Sequence, residues 1–299
     1  MKKLTSSAVR KKKLKFFSLF FLCLFSVGCN HLLYPADRFQ YITNDKLYPE
    51  PVDLRIPVQN SENPDYVHAW LFRSENPVKK GVVIHFHGNG QNLTTHFMFF
   101  NWVLDHGYDY LIFDSRGYGK SSGENANQKN TVEDGVAVLK YVRNKLNPNF
   151  VVTIGQSLGT NVLTRTLQQL NDTENATYLP DVAVFDSAFL SYQKAGSSVL
   201  SQKWFLYPLK PFAYLFLSDE WAASRNVEKN PNIPALFFHG QKDPVIQLQL
   251  GLDAYNKWIG PKHFIEEKEA GHTASFGDRR FLKNRKILIN FLEKHQNPQ

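Results

Sequence analysis

Cysteine and methionine are scarce, with two of each in 299 residues, and both cysteines, Cys23 and Cys29, stand near the N-terminus. The chain beyond residue 29 therefore has no thiol for a disulfide, a thiolate zinc site or an iron–sulfur cluster. Acidic residues are absent from the first 28 positions, which hold seven of the 35 lysines and arginines. The rest of the chain carries 28 basic against 27 acidic residues, so the net charge of +8 belongs to the N-terminus. A basic body that would track phosphates is not indicated, and no nucleic-acid partner is expected. Long apolar runs are also missing. The longest, FFSLFFLCLFSVG over 16–28, has 13 residues, where a bilayer-spanning helix needs about 20. With 42% hydrophobic and 21% charged residues, the composition is neither disordered nor collagenous. The length suits one large α/β domain or two small ones.

What the N-terminus does have is the order of a secretory signal. A basic segment over 1–15 precedes the apolar run, and small residues close it. Ser26-Val27-Gly28-Cys29 resembles the lipobox of bacterial lipoproteins, in which the cysteine is lipidated after cleavage before it. Ser26 replaces the usual leucine. The resemblance implies a signal peptide over 1–28, a mature chain over 29–299 and a membrane partner reached through a lipid on Cys29. It places the protein in the bacterial cell envelope, on the periplasmic or surface side. Asn30, in place of an aspartate after the cysteine, favours the outer over the inner membrane. Plain secretion and an uncleaved anchor are the alternatives.

From about residue 50, short β-rich runs alternate with helical stretches. Strands are expected at 52–58, 66–72, 81–88, 108–115, 150–157, 181–187, 234–240 and 263–270. Helices are expected at 91–106, 131–146, 158–170, 245–259 and 278–295, with Thr131 as the cap of the second. Continuous Val/Ile/Leu/Phe strands alternating with helices predict a mostly parallel sheet covered on both faces. In such sheets ligands bind at the carboxyl ends of the strands, so chemistry is sought there.

Gly155-Gln156-Ser157-Leu158-Gly159 sits between a strand and a helix, the context in which G-x-S-x-G lifts a serine out of a strained turn. Glycines two residues to either side avoid collision. Ser157 also begins a helix, whose partial positive charge favours a developing oxyanion. A serine needs a base, and the base an orienting carboxylate. Asp243 and His272 each follow a strand and give the order Ser, Asp, His. Asp186, also after a strand, is the alternative acid. The oxyanion donors are the backbone N–H groups of Leu158 and, from His87-Gly88-Asn89-Gly90, Asn89, with Gly90 the alternative. His85 and His87 have no acidic neighbour close in sequence, so no metal is expected, and no cofactor motif is visible.

These motifs, with HGNGQN (87–92), FDSRGYGKSSG (113–123), GQSLG (155–159), HGQKD (239–243) and AGH (270–272), resemble the cofactor-independent serine hydrolases of the α/β-hydrolase superfamily. The likeness covers about residues 65–295. The RGYGKS stretch is similar to the branch that holds esterases, lysophospholipase-like enzymes and depalmitoylating thioesterases. It implies an α/β-hydrolase fold with a Ser–His–Asp triad and a small-molecule or lipid ester as substrate. It further implies that Arg116 to Gly119 shape a loop beside the site.

Residues 188–230 are too long for a simple connection, and the resemblance makes them a helical lid. Within them, 204–217 (WFLYPLKPFAYLFL) holds 11 apolar or aromatic residues. That stretch is either a pair of buried lid helices broken by Pro208 and Pro211, or an acyl-chain wall or membrane-dipping patch. Two rival functions stand beside the hydrolase: a catalytically inactive envelope lipoprotein using the fold as a binding scaffold, and a membrane-remodelling or adhesion protein acting through 204–217.

Overall fold

Residues 33–58, 65–202 and 204–296 are described by the computed structural model. The segment 1–28 and Cys29 lie outside them. Eight strands form one sheet: β1 (Val52–Val58), β2 (Asp65–Phe72), β3 (Gly81–Phe86), β4 (Tyr108–Asp114), β5 (Val151–Gln156), β6 (Val182–Asp186), β7 (Ala235–Gly240) and β8 (Lys262–Glu267). Their order is β1-β2-β4-β3-β5-β6-β7-β8. β1 and β2 pair antiparallel, as do β2 and β4, and every later pairing is parallel.

The continuous apolar strands are explained by coverage on both faces. Successive side chains point to opposite sides of a strand. Ala183 and Phe185 of β6 and Ala235 and Phe237 of β7 therefore enter one core. Val182 and Val184, with Leu236 and Phe238, enter the other. β3 to β8 run parallel, so the loops that follow them gather at one edge of the sheet.

The helices are α1 (Leu93–His96), α2 (Gln128–Tyr141), α3 (Leu158–Leu170), α4 (Tyr192–Ser201), α5 (Lys210–Phe216), α6 (Leu248–Lys257), α7 (Ala274–Gly277) and α8 (Lys283–Gln296). Two sequence expectations are corrected. The helix expected over 91–106 is α1 followed by the 3-10 segments Phe97–Phe99 and Asn101–His106. Phe97, Phe100 and Val103 are all buried in one core, and their spacing of three is the 3-10 period. The helix expected from 131 starts at Gln128, capped by Asn127. The Asn127 side chain accepts from the Asn130 N–H at 2.9 Å, and that of Asn130 accepts from the Asn127 N–H at 2.8 Å. Thr131 instead donates its hydroxyl to the Asn127 carbonyl at 3.0 Å, one turn inside. This helix closes in a π-turn, Val142–Leu146.

Between β6 and β7 the chain leaves the sheet as α4 and α5 and returns through 3-10 turns at Ala223–Lys229. Pro208 and Pro211 occupy first-turn positions, where they start helical segments rather than break them. Among the described residues, no helix is long and apolar enough to cross a membrane.

Candidate active site

Ser157 sits between β5 and α3 with φ 52° and ψ −118°, a conformation a non-glycine residue holds only under constraint. The flanking glycines make it possible. A Cβ on Gly159 would lie 2.0 Å from the Phe86 carbonyl oxygen, and one on Gly155 2.9 Å from the Gly159 carbonyl oxygen. The turn is therefore packed against the end of β3. The Ser157 N–H donates to the Asp186 carbonyl at 2.9 Å, anchoring it to β6.

The structure brings Ser157, His272 and Asp243 into one chain of hydrogen bonds. The Ser157 hydroxyl and His272 Nε2 are 2.8 Å apart. His272 Nδ1 lies 2.8 Å from Asp243 Oδ2. A carboxylate only accepts, so Nδ1 carries the proton and the Nε2 lone pair faces the serine. The other Asp243 oxygen accepts the N–H groups of Val245 and Ile246, each at 2.8 Å. Burial alone would raise the Asp243 pKa, but the bond to His272 and these two donors outweigh it and hold it below the usual carboxylate range. Ser157 and Asp243 are buried, whereas His272 keeps partial access to solvent.

Asp186 has other work. Its carboxyl accepts from the Ser275 hydroxyl at 2.7 Å and from Gln156 Nε2 at 3.3 Å. Burial pushes its pKa up to about 6 against those two bonds. The geometry thus gives the orienting position beside His272 to Asp243.

The loop after β3 closes over the serine. A Cβ on Gly88 would meet Ser157 Cβ at 3.5 Å, and Asn89 follows it on the wall of the same cavity. His96 Nε2 donates to the Gly90 carbonyl at 3.0 Å, and His87 Nδ1 to that of Gly88 at 2.8 Å, which hold the loop from behind. Burial, helped by the nearby His87, lowers the His96 pKa to about 3 and keeps it neutral. Leu158 is the first residue of α3, where no intrahelical carbonyl takes its N–H. His85 lies inside the core, its ring Nδ1 2.8 Å from the Tyr110 hydroxyl. Among the described residues, no group of three potential ligands could hold a metal.

A cavity of about 710 Å³ opens over Ser157 and His272, within the range of pockets for small organic ligands. Phe99, Phe189, Leu200, Phe212 and Phe216 contribute to its apolar wall, the last three from α4 and α5. Of the loop 116–119, no residue lines this cavity; Tyr118 lines a separate recess with Leu158 and Gly159. The Tyr118 ring meets His87 edge-on at 5.6 Å, and Arg116 pairs with Asp65, Glu133 and Asp134.

Sequence reasoning missed two parts of the site. The first is the brace under the histidine loop. The Thr273 N–H donates to the Ser187 hydroxyl at 3.2 Å, and Ser275 holds Asp186. The Asp186-Ser187 pair after a predicted strand was the only signal for it. The second is the N-terminal segment, where Leu33 and Pro35 line the cavity. Tyr34, fully buried, shares a 2.7 Å hydroxyl contact with Tyr192 of the lid. No local pattern announces a residue whose partner is 158 positions away.

Residues 81–174 match the family model for the alpha/beta hydrolase fold. The chain is 28% identical over 289 residues to the uncharacterized protein YfhR of Salmonella typhimurium, across 92% of this chain and 94% of that protein. It is 30% identical over 183 residues to lysophosphatidylserine lipase ABHD12 of Xenopus tropicalis, across 58% of this chain and 46% of that protein. The esterase Pf2001 of Pyrococcus furiosus superposes with a TM-score of 0.66 at 19% identity, over 90% of this chain and 98% of that one. The sheet topology and these matches show that the chain has the α/β-hydrolase fold.

Proposed function

We propose that the protein is a serine hydrolase that cleaves carboxylic esters of lipids through an acyl-enzyme. The observation that carries this reading is the Ser157–His272–Asp243 chain, with both contacts at 2.8 Å, on the floor of an apolar cavity. Ser157 Oγ attacks the acyl carbonyl as His272 Nε2 takes its proton. Asp243 orients the imidazole and stabilises its charged form. The N–H groups of Leu158 and Asn89 bind the oxyanion, and one such donor is worth roughly 3 kcal/mol. His272 returns the proton to the leaving alcohol or thiol. It then takes one from water, which attacks the acyl carbon, and passes it to Ser157 Oγ as the Oγ–acyl bond breaks and the carboxylic acid leaves. The likeness to lysophosphatidylserine lipase ABHD12 supports a lipid ester as the substrate class, and a thioester fits the same machinery.

The test is labelling with a fluorophosphonate and reading the adduct by peptide mass spectrometry. An adduct on Ser157 that is lost in both Ser157→Ala and His272→Ala is expected. A folded, detergent-treated protein that takes no label overturns the reading in favour of a binding scaffold. The envelope location through Cys29 is part of the same proposal. Metabolic incorporation of labelled palmitate that persists in Cys29→Ser would refute it.

A further inference from the structure

Exposed aromatic side chains are usually scattered, but among the described residues six of them fall within the short stretch 204–216, apart from Phe39, Tyr41 and Tyr48. Trp204 is 87% exposed, Phe205 59%, Tyr214 52% and Leu215 61%, all within the lid. Contiguous apolar surface of this kind marks an interaction site. Phe212 and Phe216, stacked at 5.7 Å, join this surface to the cavity wall. The apolar surface thus continues from the exposed side of 204–216 into the wall of the cavity that holds Ser157.

We propose that this lid face docks on a lipid bilayer with the cavity mouth turned toward the membrane, so that the substrate is an acyl lipid drawn from the bilayer rather than a dissolved ester. The substrate part rests on the hydrolase reading above, whereas the docking part does not.

Three observations select a bilayer over a second copy of the chain. The exposed rings include tryptophan and tyrosine, which favour the membrane interface because one end is apolar and the other polar. From Ser191 to Ser218 there is no Asp or Glu, while Lys203 and Lys210 are present beside the exposed rings in the sequence; Lys194 pairs with Asp253 at 3.8 Å. That balance suits an anionic lipid surface. Finally, Leu33 lines the same cavity, and the apolar run 16–28 ends five residues before it. Five residues reach at most about 18 Å. A membrane that holds the apolar run or a lipid on Cys29 therefore holds the cavity mouth close to its surface. Association of two lids would leave that convergence unexplained.

The test uses the full chain bound to vesicles of three parts phosphatidylcholine to one part phosphatidylglycerol, with brominated acyl chains. Trp70, Trp102 and Trp258 are buried and Trp221 partly so, so the difference from Trp204→Phe isolates Trp204 emission. Quenching of that component is expected. Unquenched Trp204 on vesicle-bound protein overturns the docking, and cross-linking between two lids would then identify a second copy as the occupant. In parallel, Phe205→Asp with Leu215→Asp is assayed on a lysophospholipid held in vesicles and on water-soluble p-nitrophenyl butyrate. A loss of about tenfold or more on the first, with the second within about twofold, is expected. Equal losses on both, with unchanged circular dichroism, refute docking as the cause. Quenching of Trp204 in a protein that hydrolyses neither ester sinks the hydrolase reading and leaves the docking surface standing.

Discussion

The Asp186 carboxyl accepts the Ser275 hydroxyl at 2.7 Å, three residues beyond the histidine it would have to orient to act as the triad acid. Asp243 meets that histidine directly at 2.8 Å. Asp186 ends β6 and Asp243 follows the adjacent β7, and either suits a catalytic acid by position in the chain. Loop geometry separates them. Asp243→Asn leaves the His272 tautomer uncontrolled and is expected to lower kcat by about 10⁴. Asp186→Asn is expected to keep kcat within about tenfold, because it disturbs only the loop's support. Steady-state ester hydrolysis by the two variants decides it. A reversed ranking would move the acid role to Asp186.

The same carboxyl makes stability depend on pH in a stated direction. Its pKa is raised from 3.8 to about 6, chiefly by burial. The protonated form is thus favoured in the folded state. The resulting stabilisation is complete below about pH 4 and is lost as pH rises through about 6. Asp134, raised to about 7 by burial against its pairing with Arg116, slopes the same way but is common to both proteins. Urea midpoints at pH 4, 5, 6 and 7 are expected to fall more steeply for the natural chain than for Asp186→Asn. A constant offset across that range would show that Asp186 does not titrate there.

Leu200 stands on the apolar wall of the cavity. Leu200→Trp fills part of the space an extended chain would occupy. The kcat/KM for a decanoyl ester is expected to fall about tenfold or more, while that for an acetyl ester stays within about twofold, since each misplaced methylene in such a pocket costs roughly 1–3 kcal/mol. A matched series of p-nitrophenyl esters reads this directly. Equal losses at every chain length would remove the cavity from the acyl-binding role.

The strands were readable because each carries its own reason. GVVIHF and VAVFD are apolar apart from His85 and the terminal Asp186, and the two cores that flank the sheet demand that. The elbow was readable because its glycines answer clashes within a few residues, at the Phe86 carbonyl and at Gly159. The 91–106 segment misled because an apolar period of three and one of 3.6 look alike over two turns, and packing of Phe97, Phe100 and Val103 on the sheet chose the tighter one. Asn127 was passed over as a cap because Thr131 has an equally suitable side chain, and only the reciprocal bond to Asn130 distinguishes them.

Residue order and local chemistry were enough to predict the parallel sheet and the strained serine turn that the structure has. These depend on backbone sterics and on side chains a few positions apart. Which of two carboxylates faces His272 was settled only in three dimensions, because it depends on how loops after β6, β7 and β8 approach one another. The same holds for the N-terminal strand of chain around Tyr34. The burial of Tyr34 against Tyr192, and the place of Leu33 and Pro35 on the cavity wall, come from contacts far apart in the sequence. Burial and long-range packing energies are properties of the assembled fold, and no window of residues contains them.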